Sequence, residues 1–477
     1  MSRVLQALEG VRTSGDPEAI HRLRVALRRC RSLAAAMETV DPHPSWQDMR
    51  RLSRRLFRRL GALRDTHVQR RGVRKLTAAG DALRPTLLKV LKDREGELRN
   101  RVLRDVKRFD RRAWKRLDST LAGRARLVPP NGLAARCLAL ERYDHLCRLH
   151  ARTVGVEDSA RWHELRIAVK GFRYAVECFL PARFAVWEAG LRQTQDLLGE
   201  IHDLDVLEAF VEEAAGDGAS GSAASLGRSI RARRGALMER YRQRAPGPRG
   251  LLKAWGTALP RGAQVEAAVS ARLRAAARAM DPHPRRTVQI ARLALRLFDA
   301  LLGSRRNAGV EDGRSRLILR TAAELRGIRV ARGDASRRRA ARRILSAVRV
   351  PPNWTPDAWA VIPLIVRYHR GAEPRSTHGD FARLPKSHQD LVRGLAGTLR
   401  LARALHRAGA RLPPGGRATN TARGVRLRLR GLSGSRGETV RLAAATHLLD
   451  TSLQGPLIIV SGEAASPQRN GSRRDRH

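Results

Sequence analysis

His21-Arg22-Leu23-Arg24-Val25-Ala26-Leu27-Arg28-Arg29-Cys30-Arg31 returns, with substitutions, as His163-Glu164-Leu165-Arg166-Ile167-Ala168-Val169-Lys170-Gly171-Phe172-Arg173. In both copies a His is followed by cations at offsets of 3, 7 and 10. At about 100° per residue, those four side chains fall within roughly 80° of one helix face. Each stretch therefore reads as a helix carrying an imidazole and three cations on a single strip. Such a strip repels itself unless water, carboxylates or a polyanion lies along it.

A second phrase follows each first one. Leu60-Gly61-Ala62-Leu63-Arg64-Asp65-Thr66-His67-Val68 matches Leu198-Gly199-Glu200-Ile201-His202-Asp203-Leu204-Asp205-Val206, and the His-to-Gly spacing is 40 residues in one copy and 36 in the other. The chain contains an internal duplication. Apolar residues recur at helical spacing in both copies, so each repeat reads as a small antiparallel bundle. Gly61 and Gly199 suggest close helix approach. Asp65 and Asp203 are placed to accept hydrogen bonds from the strips and orient them.

These residues resemble the CHAD family, the conserved histidine α-helical domain. The resemblance implies an all-α fold of two pseudo-symmetric bundles that binds inorganic polyphosphate. The family shows Arg-Asp-x-Asp in the second phrase, whereas the first copy has His67 at the second Asp position, which bears on the salt bridges of that half. The expected polyphosphate-binding residues are His21, Arg24, Arg28, Arg31, Arg64, His163, Arg166, Lys170 and Arg173. Tyr174, one turn beyond Lys170, joins them and, like Glu177, either orients the strip or covers it.

Composition points to the same class of partner. Lys and Arg number 95 against 45 Asp and Glu, a formal net charge of +50, far beyond what solubility requires. Nearly all the cations are Arg, whose guanidinium fork grips phosphate oxygens bidentately. A GC-rich genome accounts equally well for Arg over Lys, but not for the excess of charge. Nucleic acid is expected only as a non-specific partner, because aromatic residues make up 4% of the chain and leave little base-stacking surface.

The 477 residues are long enough for several domains. The breaks predict a CHAD-like domain over 1–258, with repeats at about 1–128 and 133–258 separated at Val128-Pro129-Pro130-Asn131-Gly132. Gly216-Asp217-Gly218-Ala219-Ser220-Gly221-Ser222 reads as a loop before a last helix at about Ser229 to Arg242. Ala245-Pro246-Gly247-Pro248 and Pro260-Arg261-Gly262 mark the exit. A helical domain over 262–412, a small α/β tail over 413–462 and a disordered basic tail over 463–477 follow. No segment is apolar over enough residues to span a bilayer and the N-terminus has no apolar leader core, so the expectation is a cytoplasmic protein, associated with polyphosphate granules. Cys30, Cys137, Cys147 and Cys178 lack any Cys-x-x-Cys spacing and read as packed, reduced thiols.

The 262–412 region resembles the C-terminal HD-type domain of the exopolyphosphatase and guanosine-pentaphosphate phosphohydrolase family. The residues that carry this are His283-Pro284-Arg285-Arg286, Thr321-Ala322-Ala323-Glu324-Leu325-Arg326-Gly327-Ile328 and Leu401-Ala402-Arg403-Ala404-Leu405. An HD domain holds a divalent metal with His and Asp. Here Arg326, Gly327 and Arg403 stand where the resemblance implies His, Asp and Asp, and only His283 remains. Guanidinium has no lone pair for a metal. The region is thus expected to hold no metal and no catalytic residue, and the guanidinium groups there are of a kind that can hold phosphate instead. Val425, Leu427 and Leu429 alternate with Arg426, Arg428 and Arg430, a half-buried strand pattern, followed by a helix and a last strand near Leu457.

The fold class expected is therefore mainly all-α: two helical bundles, an HD-like helical domain and a small α/β tail. The function expected is non-enzymatic polyphosphate binding without a cofactor, with pH tuning through His21 and His163 and a polyphosphate-metabolising enzyme as a partner. Two alternatives stand beside it: a phosphohydrolase built on His283, His369, His378 and His406, and non-specific nucleic-acid binding. His43, His145 and His150 read as structural, and Trp162 as a core anchor.

Overall fold

The computed structural model describes residues 2–78, 80–81, 83–215, 221–245, 250–301, 312–328, 334–352 and 354–461. The loop at 216–220, Pro246 to Pro248, Arg329 and the tail at 463–477 lie outside them. The described residues form 18 helices and three short strands. The chain divides into two compact units, Met1–Ala275 and Ala276–His477.

In the first unit α1 (Ser2–Thr13), α2 (Pro17–Met37), α3 (Pro44–Leu76), α4 (Leu83–Lys107) and α5 (Arg111–Ala125) make one half. The other half comprises α6 (Leu133–Thr153), α7 (Ser159–Phe179), α8 (Pro181–Ala215), α9 (Gly221–Arg244) and α10 (Leu251–Thr257). The division between units falls inside α11 (Ala263–Met280). Neighbours in sequence pack as antiparallel hairpins, α1 on α2, α2 on α3 and α3 on α4, and likewise α6 on α7, α7 on α8 and α8 on α9. The halves join where α2 meets α7 and α3 meets α8. Helix α9 starts earlier than its sequence suggests, because Ser222 to Leu226 continue the helix with no Pro to stop it.

Local chemistry fixes where the two strip-bearing helices begin. Asp16 caps α2 by accepting from the Ala19 amide at 2.6 Å, with Pro17 at the first helical position, and Asp158 caps α7 through the Ala160 amide at 2.9 Å. Acidic caps also favour the positive end of the helix dipole. The face opposite each strip is apolar and buried: Leu23, Leu27 and Ala34 on α2, and Trp162, Leu165, Val169, Phe172 and Val176 on α7. Phe172 sits among Tyr143, Trp187 and Trp255. Trp162 packs edge-on against Tyr241 and donates from Nε1 to the Val156 carbonyl at 2.9 Å, the core anchor expected. Burying such aromatics is worth about 1.5–3 kcal/mol each, which ties the strips to a rigid backing.

The glycines of the second phrase do not serve helix approach. A Cβ on Gly61 or Gly199 would meet nothing within 4 Å; the close approach falls at Gly72, where a Cβ would lie 3.1 Å from Leu207. Cys30, Cys137, Cys147 and Cys178 are free thiols.

In the second unit α12 (Pro284–Leu301), α13 (Asp312–Leu325), α14 (Asp334–Ser346), α15 (Pro356–Tyr368), the short α16 (Gly379–Ala382) and α17 (Lys386–Ala408) precede a three-stranded sheet. Strand β1 (Thr419–Thr421) pairs antiparallel with β2 (Gly424–Leu429), and β2 pairs parallel with β3 (Leu457–Ser461) across α18 (Arg436–Leu453). The alternation of Val425, Leu427 and Leu429 with Arg426, Arg428 and Arg430 is β2 with its apolar face buried. Strand β1, three polar residues, carries no such pattern. Helix α18 is capped by Ser435, whose Oγ accepts from the Glu438 amide, while Glu438 Oε2 accepts from the Ser433 and Gly434 amides. Among the described residues no helix is long and apolar enough to cross a membrane.

Candidate functional site

Because α2 packs on α7, the two strips, far apart in sequence, meet in one wall. Arg24, Arg28 and Arg31 from α2 and Arg166, Lys170 and Tyr174 from α7 line a cavity of about 990 Å³. Its other walls come from α3 and α8, including Arg64, Asp65 and Asp203. Cations among the lining residues outnumber carboxylates ten to four. A second cavity, of about 640 Å³, shares Arg24, Arg64 and Arg71 with the first and holds His21, so the trough continues along α2 and α3.

Three guanidinium groups here are not satisfied by the protein. The Nε atoms of Arg24, Arg28 and Arg166 are buried and have no hydrogen-bond partner among the described residues. A buried donor left unpaired costs about 1–3 kcal/mol and more when charged, so an acceptor at these atoms would relieve that cost. Burial lowers the pKa values of Arg24 and Arg166, yet guanidinium keeps its proton. Arg28 lies over the Tyr174 ring at 4.9 Å, a cation–π contact that holds it at the wall. Burial pushes the Tyr174 hydroxyl up, and it stays protonated.

The expected residues divide into those that face the cavity and those that brace it. Arg31 does both: its Nη1 donates to the Arg50 carbonyl and to Ser53 Oγ, and its fork lies 5.0 Å from the Phe57 ring centre. Arg173 is not among the lining residues: its Nη1 donates to Oε1 of Gln195, which does line the cavity, at 2.8 Å. Glu177 pairs with Arg29 at 2.5 Å and clamps α7 to α2. His163 is held by His202, Nδ1 to Nδ1 at 3.2 Å, an arrangement in which one ring donates and the other accepts. Asp65 and Asp203 lie in the wall, but neither hydrogen-bonds to a strip among the described residues. They act on it through space: Asp65 on Arg24 and Arg166, Asp203 on Arg166 and Lys170. Burial raises the Asp203 pKa.

Sequence reading passed over Arg71, Lys75 and Arg233, which also line the cavity. Arg64, Arg71 and Lys75 are spaced by whole helical turns along α3. That helix carries cations on most faces, so no single face stood out.

His67 resolves differently from the Asp it replaces. In the second half, Asp205 and Glu208 on α8 pair with Arg234 of α9 at 3.1 and 3.0 Å. In the first half, His67 and Arg70 on α3 reach Glu95 of α4. The bridge is kept with its charges exchanged between helices. Burial, then Arg64, Arg70 and Arg71, lowers the His67 pKa.

Lys170 is a titratable group poised near neutrality. Burial, then Arg166, Arg24 and Arg28, lowers its pKa to about 8. Burial, then Arg166 and Lys170, also lowers His163, and His202 falls to about 4, so that pair is neutral at pH 7. In the ligand-free protein the unfolded chain binds more protons between pH 8 and 10.5, so this group makes stability rise with pH across that window. An anion favours the charged form, so phosphate-polymer affinity is expected to fall about tenfold from pH 7 to pH 9. Titration calorimetry across this range checks it: Lys170→Arg should flatten the profile, and a wild-type affinity independent of pH contradicts the assignment.

Residues 1–212 match the family model of the CHAD domain, and this part of the chain is a CHAD domain. The match ends within α8, short of the α9 helix that packs on it. A crystal structure of the CHAD domain from the plant Ricinus communis is similar at 25% identity, over 54% of this chain and 87% of that one, with a TM-score of 0.38. No curated protein matches the chain. The C-terminal unit has no family assignment, and its resemblance to an HD domain is unsupported.

Proposed function

We propose that the CHAD domain binds inorganic polyphosphate without chemical turnover, the chain of phosphates lying in the trough between the strips of α2 and α7. The observation that carries this is the set of buried, unpartnered Nε atoms of Arg24, Arg28 and Arg166 on a wall where cations greatly exceed carboxylates. Each phosphate unit offers oxygens to several forks, and such charge-assisted bonds are short and strong. CHAD domains as a class are associated with polyphosphate, which agrees with this chemistry. Association with polyphosphate granules, and delivery of the polymer to an enzyme, would follow from binding without hydrolysis.

Binding through many phosphates releases condensed counterions, so affinity should fall steeply with salt. The test is a titration with polyphosphate of tens of units at several salt concentrations, with duplex DNA as competitor at equal phosphate concentration. A steep negative slope of log affinity against log salt, with DNA competing poorly, is expected. A flat slope, or DNA binding as tightly, overturns the reading. Release of phosphate from polyphosphate with Mg²⁺ or Mn²⁺ present would overturn its non-enzymatic part.

A further inference from the structure

A second concentration of charge lies in the C-terminal unit, on four helices that pack on one another: α12, α13, α15 and α17. Arg286 comes from the first turn of α12, Arg326 follows α13, Arg370 follows α15, and Arg403 lies on α17. Arg326 is half-buried, and two of its guanidinium nitrogens, Nε and Nη2, are buried without a hydrogen-bond partner among the described residues. Arg403, also half-buried, makes no hydrogen bond or ion pair among the described residues. The contrast with Arg400, one turn earlier on α17, is instructive. Its Nε donates to the Tyr368 carbonyl and its Nη2 to those of Gly371 and Ala372, so Arg400 is structural.

These forks lie close enough to repel. Arg286 and Arg370 act on Arg326, and all three act on Arg403, while burial lowers Arg326 and Arg403 to about 10. The carboxylate that reaches Arg326 is Asp281, and its Oδ1 already accepts from the His283 amide at 2.8 Å. His369 is buried, donates from Nδ1 to the Val366 carbonyl at 2.7 Å and titrates only near 3, so it adds no charge. His406, half-buried on the same face as Arg403, is likewise held neutral by burial and by Arg286 and Arg326.

We infer that the Arg286, Arg326, Arg370 and Arg403 cluster is a second anion site, specific for a compact phosphoryl group. The buried fork of Arg326 lacks acceptors, and a phosphoryl group supplies several oxygens at the spacing of a guanidinium edge. The charge on Arg286, Arg326 and Arg403 favours a polyvalent phosphate over a monovalent ion. Free pyrophosphate and the end of a polyphosphate chain share this chemistry. The inference does not depend on the reading of the CHAD domain.

The test uses the full chain with Arg24, Arg28, Arg166 and Lys170 all replaced by Gln, so that the N-terminal trough contributes little. Pyrophosphate, with sulfate as control, is titrated against this protein and against versions also carrying Arg326→Gln, Arg326→Lys or Arg403→Gln. One pyrophosphate per chain is expected, weakened at least tenfold by either Gln substitution and to a lesser degree by Arg326→Lys, which keeps the charge but loses the fork. Competition by long polyphosphate in proportion to its chain ends identifies the terminal phosphoryl as ligand, and its absence identifies the free anion. Should Arg326→Gln fail to fold, Arg403→Gln carries the test alone. Lack of pyrophosphate binding, equal binding of sulfate, or affinity untouched by Arg403→Gln overturns the inference.

Discussion

Replacing Arg24, Arg28, Arg166 and Lys170 together by Gln is expected to weaken polyphosphate binding by at least about tenfold, ~1.4 kcal/mol, with helicity unchanged. The figure is a floor. A hydrogen bond to a charged group is worth about 1.5–3 kcal/mol, and the variant removes several. Folding should survive because the apolar faces of α2 and α7 are untouched and the buried Nε atoms of Arg24, Arg28 and Arg166 make no hydrogen bond among the described residues. Removing an unpaired buried charge relieves a penalty, so the ligand-free variant should melt no lower than the parent. Fluorescence or calorimetric titration beside circular dichroism checks both. Wild-type affinity in a folded variant would eliminate the trough as the binding site.

Gly327→Asp is expected to destabilise the C-terminal unit by at least about 3 kcal/mol, at the upper end of the usual cost of overpacking. A Cβ at 327 would lie 2.5 Å from both Asp281 Oδ2 and Thr287 Oγ1 and 2.8 Å from Asp281 Cγ. Neither neighbour yields easily: Asp281 holds the start of α12 through the His283 amide, and Thr287 is buried. A second carboxylate against Asp281 adds like-charge repulsion. Restoring Arg326→His, Gly327→Asp and Arg403→Asp to rebuild a metal set would therefore break the fold at its middle step. The measurement is the denaturation midpoint of the full chain, with Gly327→Ala beside it to separate the steric part from the charge. A Gly327→Asp midpoint equal to the parent would contradict the packing.

The residues 326 and 327 show how a motif position and its surroundings carry different information. The resemblance to an HD domain rests on the order of residue types around Leu325-Arg326-Gly327. The structure shows Gly327 required by close approach to α12 and Arg326 left with unpaired donors, both facts of packing that no local pattern encodes. The same holds for Gly61 and Gly199, whose repetition suggested helix contact but which face open space.

The duplicated phrases, the helical class of the chain, the strand at Val425 to Leu429 and the polarity of α2 and α7 were decided by the sequence alone. Each depends on interactions within a few turns: periodic apolar residues, caps such as Asp16 and Asp158, and cations at fixed offsets. Tertiary structure decided the rest. It placed Arg24 and Arg28 beside Arg166 and Lys170, turned Arg173 toward Gln195, paired His163 with His202, and drew Arg71, Lys75 and Arg233 into the same wall. These outcomes depend on how α2, α3, α7, α8 and α9 cross. The crossing is set by the summed packing of buried side chains from helices far apart in sequence, and the burial it creates is what lowers Lys170 to about 8 and leaves the Nε atoms of Arg24, Arg28 and Arg166 without a partner among the described residues.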